Sequence, residues 1–179
     1  MNKIRLKDKE FQVFIHQETI YERIKEIAAQ INRDFQGKET PVFLSILNGA
    51  FMFTGDLFKE LKINSYLSFV KFASYQGMSS SGEINELIGL HEDLTDRNVI
   101  VLEDIVDSGL TIRKLSQELE EHRPRELKIA TLLLKPDVYK EPINLDYVGM
   151  KIPNDFIVGY GLDYDGLGRN LKDIYQVVE

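Results

Sequence analysis

Nine consecutive residues, Glu103-Asp104-Ile105-Val106-Asp107-Ser108-Gly109-Leu110-Thr111, place three carboxylates, two hydroxyls and a glycine on one short piece of chain. Carboxylates in such a group can hold sugar hydroxyls or a hard cation such as Mg²⁺. The hydroxyls suit a different ligand. The first N–H groups of a helix lack intrahelical partners and the helix dipole adds positive charge there, so a helix starting after Gly109 makes a phosphate site that Ser108 and Thr111 extend. Gly109 also permits a tight bend and a close ligand approach. A lone acid or serine at a helix start is commonly just a cap. The density of polar groups here argues for a site.

These groups need a frame to hold them. Val99 to Leu102 is a short, largely β-branched run that reads as a buried strand. Ile112, Leu115 and Leu119 then recur at helical spacing, up to a stop near Pro124. The acids therefore fall where a strand ends and the hydroxyls where a helix begins. Val42 to Leu47 repeats the pattern, punctuated by Asn48-Gly49 and followed by a helix from Ala50 to about Leu61. Ser65 to Phe72 and Leu127 to Leu134 are further strands, with short ones at Glu86 to Leu90, Leu145 to Lys151 and Phe156 to Tyr160. Ile20, Ile24, Ile27, Ile31 and Phe35 line one face of a helix closed by Gly37, after a weak alternating strand at Phe11, Val13 and Ile15. Strands alternating with helices predict an α/β fold: a central, mostly parallel twisted sheet flanked by helices, with ligands at the carboxyl ends of its strands. Ala73 to Glu83 is small and polar almost throughout, so a mobile loop is expected there.

Bulk properties narrow the choice. The 179 residues are 43% hydrophobic and 28% charged, as in a soluble globular domain. A formal net charge of −7 argues against non-specific nucleic-acid binding. The absence of cysteine excludes disulfides and thiol catalysis. His16, His91 and His122 lack zinc-ligand spacing. Met1 to Glu10 is charged, so no signal peptide is expected, and the longest apolar stretch, Pro41 to Phe58, is broken by Asn48, Gly49 and Asp56. The expectation is a cytoplasmic protein with no membrane partner.

Glu103 to Thr111 resembles the 5-phosphoribosyl pyrophosphate (PRPP) motif of the type I phosphoribosyltransferases, and the sequence downstream is similar to their hypoxanthine-guanine branch. The resemblance spans nearly the whole chain. It implies a single domain over 1–179, with a core of about 17–136, a small hood from about 1–16 and 137–179, and a lid at about 73–83 that begins at Ser74-Tyr75. By the same match Asp107 is a general base, and Glu103 and Asp104 fix the ribose hydroxyls, directly or through metal and water. Ser108, Gly109, Leu110 and Thr111 hold the 5′-phosphate. Leu47-Asn48-Gly49 matches the pyrophosphate loop, where a cis peptide between Leu47 and Asn48 is expected. Lys135 would hydrogen-bond the exocyclic oxygen of a 6-oxopurine. Phe156 would stack on the base, Ile157 read its edge through the backbone, and Leu162 cover its other side. Asp163 would hold Mg²⁺ beside the pyrophosphate, with Glu103 and Asp104 as further metal residues, and Arg169 would contact pyrophosphate oxygens.

Taken singly, Lys135 reads as a snorkelling surface lysine, Phe156 as core, Asp163 as a turn residue and Arg169 as solvated. Leu110 stands where some family members carry lysine, so no side-chain charge helps from that position. The implied reaction is Mg²⁺-dependent purine salvage: hypoxanthine or guanine and PRPP give IMP or GMP and pyrophosphate, in a homodimer or homotetramer. A xanthine-preferring enzyme and a PRPP-sensing regulatory protein on the same fold are the alternatives.

Overall fold

The computed structural model of the chain describes residues 3–74 and 84–178. Its elements run β1 (Lys3–Leu6), β2 (Lys9–Ile15), α1 (Gln17–Phe35), β3 (Val42–Ile46), α2 (Phe51–Glu60), β4 (Tyr66–Ser74), β5 (Ile84–Ile88), β6 (Asn98–Val106), α3 (Leu110–Glu121), β7 (Glu126–Leu134), β8 (Tyr147–Lys151), β9 (Ile157–Val158) and β10 (Ile174–Val177). They form two sheets. The larger has the order β5-β4-β3-β6-β7-β8, parallel except for β5, which pairs back along β4. The mostly parallel sheet expected from the sequence is thus the architecture found.

Helices cover both of its faces, which is why β3 is buried at every position. Phe43, Ile100 and Leu102 pack with α1 and α2, through Ile24, Ile31, Phe53 and Leu57. Val42, Leu44, Val99 and Val101 pack with Ile112, Leu115 and Leu119 of α3. Side chains alternate along a strand. Continuing that alternation past Leu102 sends Glu103 towards α3 and Asp104 towards α2, so two adjacent acids serve opposite faces.

The smaller sheet, β1-β2-β10-β9, is antiparallel and closes around Phe11, Val158 and Tyr175. Two of its strands escape a reading of periodicity. β1 alternates charged residues with Ile4 and Leu6 over only four positions, and β10 lies far from its partner β2 in sequence. One boundary also moves. Residues from 137 onwards were expected in the hood, yet Tyr147–Lys151 forms β8 and extends the main sheet beside β7. No helical period separates these two strands, so the crossover gave no sequence signal for a parallel pair. Residues 75–83, with Tyr75 and most of the expected lid, lie outside the described residues; Ser74 is the last residue of β4.

Candidate active site

β6 carries Glu103 and Asp104, the turn after it carries Asp107 and Ser108, and Thr111 lies in the first turn of α3. Gly109 caps α3 with φ 87°, and Leu110 donates its N–H to Ser108 Oγ at 3.5 Å. The side chains Asp107 and Ser108, considered as caps from sequence, thus stand just outside the helix. A cavity of about 80 Å³ opens here, lined by Glu103, Asp107, Ser108, Gly109, Thr111 and Ile112, with Ile105 and Val106. Tyr139 and Glu141 close over Gly109 from the β7–β8 connection, and Glu141 reaches Arg113 at 3.5 Å. Neither residue was singled out in the sequence, because nothing local ties them to the cup.

Lys135 directly follows β7, is buried at 7% exposure, and donates to Asp107 Oδ2 at 3.1 Å. It is therefore no surface lysine: its ammonium is held at the cup by the one carboxylate of the turn.

On the opposite face, Asp104 lies against the Leu47-Asn48-Gly49 loop. The Leu47–Asn48 peptide is cis, as the family resemblance led one to expect. A Cβ at position 49 would sit 1.6 Å from Asp104 Oδ2, so only glycine lets the loop pass the carboxylate. Asp104 Oδ1 accepts from the Ile105 N–H at 2.9 Å. The 159–169 loop packs onto the same place. A Cβ at Gly161 would meet Gly49 O at 2.0 Å. Arg169 donates from Nη1 to Gly161 O at 2.7 Å and pairs through Nη2 with Asp163 Oδ1 at 2.6 Å, while Asp163 Oδ2 accepts from the Gly166 N–H at 2.6 Å.

Phe156, Ile157 and Leu162 are placed by the small sheet. Ile157 is buried in β9, and Leu162 packs on the core beneath the α1/α2 face. Phe156 is 44% exposed, with its ring 6.1 Å from Phe11 and 5.6 Å from Tyr164, edge to face. A large aromatic ring held by two others, yet open on one side, suits stacking on a planar ligand.

The electrostatics of the acids are unusual. Glu103 Oε2 is buried with no hydrogen-bond partner among the described residues. Burial first, and then the neighbouring Asp104 charge, hold the Glu103 carboxyl well above the ordinary carboxylate range. Burial also raises Asp104, against the opposing effects of the Ile105 N–H and the Arg169 charge. An orphaned buried carboxylate oxygen beside further acids fits a hard divalent cation. Glu103, Asp104 and Asp163 do not converge as a three-ligand cage; among the described residues that geometry belongs to His16, Glu18 and Asp173. Mg²⁺ needs no such cage, since it is usually held by one or two carboxylates together with substrate phosphates and water.

A stability effect follows. With its pKa raised in the folded state, Glu103 keeps a proton that the unfolded chain has already released, so stability of the ligand-free protein falls as pH rises from about 4.5 through the raised value. Glu103→Gln should therefore stabilise the ligand-free protein at pH 8 by ~0.5–2 kcal/mol, the usual range for a stabilising substitution, and should gain less at pH 5. Urea melts at both pH values check this; a loss of stability at pH 8 would contradict it.

Comparison with known proteins places the chain among relatives. The sequence model of the phosphoribosyl transferase domain matches residues 15–165. A hypoxanthine-guanine phosphoribosyltransferase of Mycobacterium tuberculosis is 40% identical over 169 residues, 90% of this chain and 83% of that one. The Aquifex aeolicus protein of the same name is 35% identical over 173 residues, covering 96% and 97%. The crystal structure of a hypoxanthine-guanine phosphoribosyltransferase from Bacillus anthracis superposes with a TM-score of 0.83 at 40% identity, covering 93% of this chain and 96% of that one.

Proposed function

The chain belongs to the phosphoribosyl transferase domain family, and from that premise we infer that it is a hypoxanthine-guanine phosphoribosyltransferase of purine salvage. It moves the 5-phosphoribosyl group of PRPP to N9 of hypoxanthine or guanine, releasing pyrophosphate and IMP or GMP. The observation that carries this reading is the cup at the start of α3, where Glu103, Asp107, Ser108 and Thr111 line one cavity and Lys135 is tethered to Asp107.

The 5′-phosphate sits in the cup, held by Ser108, Thr111 and the backbone N–H groups at the start of α3. Glu103 and Asp104 fix the ribose hydroxyls from the two faces of β6. The purine lies on the open side of Phe156, with Leu162 across from it, its edge read by the Ile157 backbone. Lys135 turns from Asp107 to the 6-oxo group, and Asp107, so released, accepts the N7 proton as N9 attacks C1. Positive charge develops on the sugar ring as the bond to pyrophosphate lengthens, and Glu103 and Asp104 stabilise it. Arg169 and the Leu47-Asn48-Gly49 backbone receive the pyrophosphate oxygens. Bound Mg²⁺, for which Glu103, Asp104 and Asp163 are the fitting residues, supplies charge neutralisation of the leaving group. The expected lid, starting at Ser74-Tyr75, excludes water from the sugar cation.

Assembly into two or four copies is part of the reading, supported by large apolar side chains left open at Phe51, Tyr66 and Phe69. No helix among the described residues is long and apolar enough to cross a membrane, in keeping with a cytoplasmic salvage enzyme. The test is direct: incubate the protein with PRPP, Mg²⁺ and each of hypoxanthine, guanine and xanthine, and follow nucleotide formation. IMP and GMP are expected. Formation of XMP alone would move the assignment to a xanthine enzyme, and no nucleotide from any base would favour a regulatory role.

A further inference from the structure

Tyr160 has an improbable setting. Gly159, Tyr160 and Gly161 take φ values of 99°, 49° and 97°, a left-handed run in which the middle residue is a bulky aromatic. It is also buried, at 2% exposure. Left-handed geometry at a tyrosine persists where the surroundings enforce it, and here the enforcing contacts are visible. Its N–H donates to Leu171 O at 2.8 Å, and its hydroxyl donates to Asp56 Oδ2 at 2.5 Å. Asp56 lies on α2 and accepts Lys59 through its other oxygen at 2.7 Å. Burial first, then the bond to Asp56, push the Tyr160 hydroxyl far above the ordinary phenol range, so it remains a donor throughout the working range of pH.

The two partners belong to the two walls of one site. Asp56 lies on the helix that follows Asn48-Gly49 directly. Tyr160 precedes Gly161, which abuts Gly49 O and whose carbonyl accepts Arg169. The hydroxyl–carboxylate bond thus spans the same gap as the Gly49–Gly161 contact.

We propose that Tyr160 and Asp56 are positioning residues for the pyrophosphate half of the reaction, fixing the distance between the Leu47-Asn48-Gly49 loop and the arm that carries Asp163 and Arg169. This rests on the phosphoribosyl transfer proposed above. Neither side chain touches substrate; each acts through the backbone it tethers. Purine binding, on the Phe156 side of the loop, depends less on that distance.

The experiment uses the full chain with Mg²⁺ and reads pyrophosphate affinity by calorimetry, alongside KM for PRPP and for hypoxanthine. Tyr160→Phe keeps the ring and removes only the tether; Asp56→Ala removes the acceptor at the other end. Each should weaken pyrophosphate about tenfold and raise KM for PRPP by a similar factor, with KM for hypoxanthine nearly unchanged. The double variant should be no worse than either single one, because one bond is lost in every case. A purely structural role would lower the melting temperature and raise both KM values together, and that result, or unchanged pyrophosphate affinity in both variants, overturns the proposal. A wild-type protein that forms no nucleotide overturns the parent reading instead, which keeps the two failures apart.

Discussion

Stripping divalent cations with excess EDTA should stop turnover, lowering the rate by more than about a thousandfold, and restoring Mg²⁺ should recover it. The reason lies in how the positive charges of the site are already committed. Arg169 is bound to Asp163 at 2.6 Å and Lys135 to Asp107 at 3.1 Å. Glu103 and Asp104 add two more acids, and the cation acting on Asp104 is that same Arg169, in a chain of net charge −7. A pyrophosphate leaving from such a place separates charge against the local field. Two unit charges about 4 Å apart interact by ~4 kcal/mol at the effective dielectric of a protein surface. Each ~1.4 kcal/mol is a factor of ten in rate, so the loss of one well-placed cation charge accounts for the expected collapse. The unpartnered Glu103 oxygen is independent support for a cation nearby. Stopped-time assays of IMP formation at fixed ionic strength decide it, and full activity in EDTA would falsify the account.

Asp107→Asn should leave a crippled enzyme that can still be measured, with kcat down ~10²–10⁴-fold, the range for loss of a general base. That is ~3–5 kcal/mol on the barrier. Asparagine keeps the shape and one acceptor oxygen, so Lys135 retains an anchor and the purine should bind with little change in KM. Equal falls in kcat and kcat/KM mark an interaction made only in the transition state. The competing view is that Asp107 merely parks the Lys135 ammonium. It predicts the reverse split, with KM for hypoxanthine altered and kcat intact. Steady-state kinetics with hypoxanthine as the varied substrate separates the two. Positioning of the two reactants, worth up to ~7–11 kcal/mol, survives the substitution, which is why activity is reduced and not abolished.

The acid-bearing strand β6 and its turn were readable in the sequence because their signals are contiguous: the apolar run, the acids, the hydroxyls and the helical spacing all fall between Val99 and Leu119. Lys135 was harder, since a lysine after a strand carries no local sign of being buried; its role came only from the family resemblance. The cis Leu47–Asn48 peptide likewise came from resemblance, whereas the demand for glycine at position 49 is set by Asp104, a residue more than a strand away. Long-range contacts of this kind have no periodicity to betray them. The Asp56–Tyr160 bond joins residues 104 apart, and the hairpin β1–β2 pairs with β10 at the other end of the chain. What stayed hidden was therefore mainly the second layer, the side chains and strands that hold the first in place.

Neighbouring acids on opposite faces of β6 make that strand a partition, with the cup at the start of α3 on one flank and the Leu47-Asn48-Gly49 loop on the other. Glu103 is addressed to one compartment and Asp104 to the next, and the strict alternation ends there: Ile105 packs on the α1/α2 side and Val106 on the α3 side. A substitution at 103 thus acts on the cup and leaves the contact between Asp104 and Gly49 untouched, provided the register holds. Deleting a single residue between Val99 and Leu102 would exchange the two addresses at once, and no compensating point change could put them back.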